Sequence, residues 1–232
     1  MNNNSKTIAI IALVLAIVGL GIGFAAFSTT LTISSSATVN PDSTVFTGNV
    51  GFDTTVGSCA KVSGTSTDVT GVAGTVTLTQ ITGASATLTE PGDAVVCTYR
   101  TKNTSPYDAY LNAITYGASP YSTKLTCAPK TDGVAAADRA DATLVNNACA
   151  GITVTTQVGG TGFGAGTGRE TATITSAANN SLTNISSHTM AKTSGTENVY
   201  VKFEYNSNAT ARADGPFIVT IPTIGITYAT AE

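Results

Sequence analysis

The chain has 232 residues, 42% of them hydrophobic, 11% charged and 6% aromatic, with one His and no Trp. A net charge of −3 with only 11 Lys and Arg leaves no basic field to hold a phosphate backbone, so no nucleic-acid partner is expected. Charge is also too sparse for a disordered acidic tail, while 43 Thr, nearly a fifth of the chain, favour pleated strands over helices.

The first element is apolar. After Lys6, residues 8–27 form a run of 20 without a charged side chain. At about 1.5 Å per residue such a run is long enough to cross a bilayer, so a signal peptide and a retained membrane helix are both compatible with it. Gly19, Gly21 and Gly23 loosen its end, and Gly23 with Ala25 satisfies the small-x-small rule for cleavage before Ala26. Residues 1–25 are therefore expected to be a signal peptide or membrane segment. Lys6 on the cytoplasmic side puts everything beyond Phe27 outside, at the cell surface or in the medium. Contact with a membrane is expected only through this segment, during export or if it stays uncleaved.

Residues 26–40 read as one long strand. Phe27, Leu31, Ile33 and Val39 fall on one side, and Ser28, Thr30, Thr32, Ser34, Ser36 and Thr38 on the other. This face is made to be buried, and about 13 residues is more than twice the usual strand length.

Residues 41–232 repeat the same period-two runs, punctuated by Gly, Pro, Asn and Asp. Strands are expected at 46–52, 72–81, 84–88, 94–101, 109–116, 152–158, 171–175, 199–205 and 217–228. The stretch 89–93, with Pro91 and Gly92, reads as the tight turn of a hairpin. Pro222 flips the apolar phase of the last strand, which suggests a bulge or edge position. The one helix candidate is 134–144. Together these elements predict an all-β fold, a jelly-roll or Ig-like sandwich.

Cys59, Cys97, Cys127 and Cys149 all follow the export segment. Three pairings are open on paper. Cys127 and Cys149 bracket one irregular segment, so the favoured arrangement closes that pair and links Cys59 to Cys97. Structural bridges of this kind imply an oxidising exterior. A metal site built from the four cysteines would lack any C-x-x-C pair.

Motifs for chemistry are sparse. One His excludes an H-E-x-x-H metalloprotease, and no G-x-S-x-G elbow surrounds any Ser. His188, between Ser187 and Thr189, reads as a surface or strand residue. The glycine-rich stretch 159–168 precedes another strand rather than a helix N-terminus, and so reads as a flexible loop rather than a phosphate cradle. Asp132, Asp138 and Asp141 do not match a calcium-loop spacing. N-x-S/T sequons occur at Asn103, Asn179, Asn184 and Asn208. No catalytic, metal or cofactor site is expected.

The end of the apolar segment, Gly23-Phe24-Ala25-Ala26-Phe27, precedes a long Thr/Ser strand. Pro91-Gly92-Asp93, a strand over 95–99, Lys102-Asn103-Thr104 and Asp108-Ala109-Tyr110-Leu111 follow. This arrangement resembles the TasA/camelysin family of prokaryotic surface-fibre proteins, over about a quarter of the chain. The resemblance implies a jelly-roll-like sandwich and, as in several members, assembly by donor-strand exchange. Some relatives are described as metalloproteases, but with a single His this chain carries no recognisable zinc motif.

The expected function is thus a non-enzymatic subunit of an extracellular filament, a pilus or biofilm fibre. It would polymerise head to tail with itself through Phe27, Leu31, Ile33 and Val39. Two alternatives are a monomeric secreted or membrane-anchored binding domain, and a pilin with a retained hydrophobic core helix.

Overall fold

The computed structural model describes residues 43–231. The expected export segment and donor strand, with Phe27, Leu31, Ile33 and Val39, lie outside the described residues. The described part starts with a short helix, α1 (Ser43–Thr47), and strands β1 (Val50–Phe52), β2 (Ser58–Ser63), β3 (Thr70–Val72), β4 (Thr75–Val76), β5 (Gln80–Thr82) and β6 (Ser85–Leu88). The long strands β7 (Ala94–Asn103) and β8 (Ala109–Tyr116) follow, then β9 (Thr126–Pro129) and helix α2 (Ala142–Ala148). The remainder is β10 (Ile152–Val158), β11 (Glu170–Thr175), β12 (Asn179–Asn180), β13 (Leu182–Met190), β14 (Gly195–Tyr205), β15 (Phe217–Thr220) and β16 (Ile224–Thr230).

These strands make an all-β sandwich. In the first layer the order is β1-β7-β14-β10-β11-β12, with β2 pairing β7 on the same flank as β1. The second layer is bent. One half runs β3-β6-β15-β9 and the other β4-β5-β16-β8-β13. The chain passes from one half to the other four times, at Gly74, at Gly83, over the longer stretch 117–125 between β8 and β9, and around Pro222. Thus β3/β4, β6/β5 and β15/β16 are three kinked strands that keep their neighbours across the bend.

Alternation explains which faces are buried. Along β10 and β14 the inward residues Ile152, Val154, Val199, Val201 and Phe203 are fully buried, with Thr and Lys positions between them. Six aromatic rings anchor the core: Phe52, Tyr99, Tyr116, Phe203, Tyr205 and Phe217. Phe52 meets Tyr99 edge-on at 6.4 Å, and Tyr205 meets Phe217 at 5.6 Å. The phenols of Tyr99, Tyr116 and Tyr205 each have a partner, as burial demands. The Tyr99 hydroxyl donates to the Ala73 carbonyl (2.8 Å) and that of Tyr205 to Ala211 (2.6 Å). Tyr116 on β8 reaches across the sandwich, accepting from the Thr156 N–H (3.0 Å) and donating toward the Ala172 carbonyl (3.0 Å).

The disulfides join Cys59 to Cys97 and Cys127 to Cys149. Cys59 and Cys97 are register partners on β2 and β7. Gly71 of β3 packs on this bridge: a Cβ there would sit 2.7 Å from the Cys59 Cβ and 2.5 Å from a Val95 methyl. The second bridge fastens β9 to the turn after α2, closing the irregular segment between them.

Several expectations are corrected. The strand expected over 46–52 is split: Phe46 belongs to α1, whose end is tied by the Asn49 side chain donating to the Val45 carbonyl (2.8 Å), and only Val50–Phe52 is extended. The strand expected over 72–81 is broken by Gly74 at φ +72° and by a turn in which the Thr77 N–H donates to the Gln80 carbonyl. The turn at 89–93 forms no hairpin, because β6 and β7 belong to different layers. The Asp93 carboxylate holds this turn, accepting from the N–H groups of Thr89 (2.7 Å) and Glu90 (2.8 Å). The helix starts later than 134, where Asp141 accepts from the N–H groups of Thr143 and Leu144 and caps α2. Pro222 does interrupt the last strand, which stops at Thr220 and resumes at Ile224.

Candidate assembly surface

Strand β16 is paired very differently on its two flanks. On one it runs along β8 from Ile224 opposite Tyr116 to Thr230 opposite Ala109, with a bulge after Thr227. On the other, β5 pairs only Ile224 and Gly225. β5 goes no further because the chain reverses in the 77–80 turn, whose tip is pinned when the Leu78 carbonyl accepts the Phe52 N–H of β1 (2.7 Å). Residues 226–230 therefore have no partner strand on that flank among the described residues. At about 3.4 Å per residue this is roughly 17 Å of edge.

The space beside this edge is a slot between the two layers. Phe46 of α1, Val50 of β1, Thr79, Ile226, Thr227 and Tyr228 line a cavity of about 100 Å³ there. Phe46, Val50, Ala109 and Met190 form a small apolar cluster separate from the main core, with Tyr107 and Tyr228 packed against it. The slot floor is thus greasy, whereas its edge offers backbone hydrogen-bonding groups, the combination that an added strand satisfies.

Two polar clasps hold the layers together near the slot. The Tyr228 hydroxyl lies 2.8 Å from Thr101 Oγ1, joining β16 to β7, and burial pushes its pKa well above the ordinary phenol range. His188 Nδ1 lies 2.9 Å from Glu197 Oε1, joining β13 to β14. Burial raises the Glu197 carboxyl, and the neighbouring His188 offsets part of that rise. Of the surface or strand position expected for His188, the strand holds and the surface does not: it lies in β13, and its side chain is 8% exposed and packs beside Gly159. On the outer side of β1, Asp53 accepts from Arg100 (2.7 Å) and from the Thr55 N–H and hydroxyl, which holds its carboxyl far below the usual range.

The remaining chemical candidates are structural. All four cysteines are in disulfides, and no cluster of three metal-ligating side chains occurs among the described residues. Asp141 is spent on its helix cap. The glycine-rich loop is pinned rather than free, because the buried Gln157 donates to the Gly159 and Gly162 carbonyls and accepts from the Gly164 N–H. Polar residues of the stretch 103–108 hold turns. The buried Asn103 donates to the Tyr107 and Met190 carbonyls, and Asp108 accepts from the Lys192 N–H.

Sequence reasoning missed the slot. Its edge belongs to the last strand, and its floor to α1 and β1, which read as one strand. The one signal in the sequence was the phase flip at Pro222, which frees β16 from the path of β15.

No protein-family model matches the chain, and no curated protein matches its sequence. Among the described residues no helix is long and apolar enough to cross a membrane. Two disulfides fit a non-reducing, extracellular setting.

Proposed function

We propose that the chain is a non-enzymatic structural subunit of an extracellular filament, in which residues 26–39 of one copy enter the slot beside β16 of the next. The observation that carries this reading is the half-open β16, five residues of unpaired edge over an apolar floor. A strand with one apolar and one polar face suits that place, since one face enters the groove while the other stays hydrated. The five-residue edge is long enough to seat Leu31 and Ile33 together, and burying these two contributes roughly 3 to 6 kcal/mol before entropic costs. Such a contact joins two different surfaces, so it propagates as a head-to-tail filament instead of closing on itself. The resemblance of residues 91–111 to TasA/camelysin surface-fibre proteins supports the same reading.

One observation favours a second reading, a monomeric secreted or anchored binding domain. Phe46 of α1 rims the slot, and Val39 precedes Ser43 by four residues, so the segment has a short route to the slot of its own chain. The double substitution Leu31→Asp, Ile33→Asp separates the two. As a subunit contact, it abolishes filaments seen by electron microscopy and leaves a soluble, folded monomer. Unfolding of the monomer would instead assign the segment to its own core.

A further inference from the structure

Four sequons lie among the described residues, and they become unequal once folded. Asn103 is fully buried and its side chain is used at both ends: Nδ2 donates to the Tyr107 (2.8 Å) and Met190 (3.2 Å) carbonyls, while Oδ1 accepts from the N–H and hydroxyl of Ser105, the hydroxyl residue of its own sequon. Asn179 is similarly engaged. Its Nδ2 donates to the Tyr116 (3.0 Å) and Thr123 (2.7 Å) carbonyls, and its Oδ1 accepts from Ser181, which in turn accepts from the Tyr116 N–H. Modifying either nitrogen would replace one of its two N–H donors and so forfeit at least one of these hydrogen bonds, and at the fully buried Asn103 it would also force a bulky group into packed structure.

The other two sequons are free. Asn184 and its Ser186 are exposed, in the part of β13 where the register with β8 shifts between Thr183 and Ser187. Asn184 takes a positive φ of 57°, a conformation Asn tolerates. Asn208 and its Thr210 are exposed in the irregular loop 206–216, where the Asn208 backbone N–H donates to the Asn206 side chain (2.9 Å). Asn208 and Thr210 also line an open polar depression with Asn147 and Asn206. Ile185 and Ala209 stand at the middle positions, so neither sequon is blocked by Pro.

We propose that Asn184 and Asn208 are acceptors for an N-linked glycan and that Asn103 and Asn179 are not. The donor is an oligosaccharide linked through a diphosphate to a membrane lipid, used by an oligosaccharyltransferase on the outer face of the membrane. The Asn Nδ2 forms a bond to the anomeric carbon, whose bond to the diphosphate oxygen breaks. The lipid diphosphate leaves with the electron pair, and a base of the transferase takes the proton lost from Nδ2.

Position also suits assembly, although the proposal does not rest on it. Glu197 and Thr101 mark the slot end of β14, whereas loop 206–216 leaves from its other end at Tyr205. The eight residue steps from Glu197 to Tyr205 separate the two by about 27 Å. A glycan on Asn208 would decorate the surface without covering the slot.

The test is glycopeptide mapping by mass spectrometry of the disulfide-intact protein taken from the surface of the cells that make it. Asn184 and Asn208 are expected to carry saccharide, with Asn103 and Asn179 unmodified. Thr210→Ala, which leaves Asn208 in place, should abolish modification at Asn208 with an unchanged melting temperature. Unmodified Asn184 and Asn208, a glycan on Asn103 or Asn179, or persistence of the Asn208 glycan in Thr210→Ala would overturn the proposal.

Discussion

β15 and β16 are two halves of one kinked strand, and they end in opposite conditions. β15 is paired along its whole length, with β6 on one side and β9 on the other, and its Phe217 and Val219 are fully buried. β16 keeps a full partner in β8 but loses β5 after Gly225. The difference comes from neighbours rather than from strand propensity, since both halves are rich in Ile, Thr and aromatic residues. β9 lies along β15 over four register pairs, and the Cys127–Cys149 bridge fastens it to the turn after α2. On the other half, the 77–80 turn withdraws the chain to β1 and leaves the edge bare. The closed half is paired on both flanks, and the open half keeps one bare flank, the place where we propose that a strand from another copy enters.

Substitutions that break this contrast should sort by half. Phe217→Ala, at the centre of the closed half and against Tyr205, is expected to cost about 3 to 5 kcal/mol in urea unfolding. Replacing Cys127 and Cys149 together by Ser should cost about 2 to 4 kcal/mol and raise proteolysis within residues 130–148. Asp53 gives a smaller, pH-dependent effect at the rim of β1. Its folded pKa lies below the unfolded value, so its contribution is fully present above the ordinary Asp range near pH 4 and is lost as pH falls toward the folded pKa. Asp53→Asn should therefore be less stable than the parent at pH 7, with the gap narrowing in acid unfolding curves. Thr79 is exposed and lines the slot. Thr79→Arg should change subunit stability by no more than about 0.5 kcal/mol yet suppress filament formation.

The long inner strands were the most legible part of the sequence. The extents of β8 and β10 follow from strict alternation of apolar and polar residues, and the cysteine pairing follows from which segments each pair brackets. What was not legible depended on tertiary partners. β2 (SCAKVS) is almost wholly exposed and shows no apolar period, while the bulges of β13 scramble its alternation. Phe46 looked like a strand residue because its apolar character fits either element, and only the Asn49 contact to Val45 shows the helix. The 89–93 turn carried correct turn chemistry but not its direction, because local residues do not specify whether a chain stays in its sheet or crosses to the other. The slot is an absence of pairing on one flank, which no run of residues encodes.

The central claim is that the amino-terminal strand of one subunit fills the slot of another. Cysteines placed by Leu31→Cys and Thr79→Cys test it directly, by non-reducing electrophoresis of the oxidised protein at increasing concentration. Strand exchange predicts a ladder of covalent oligomers that grows with concentration and collapses to monomer on reduction, with neither single variant forming it. A cross-link formed only within single chains, at the same yield at every dilution, would contradict the account.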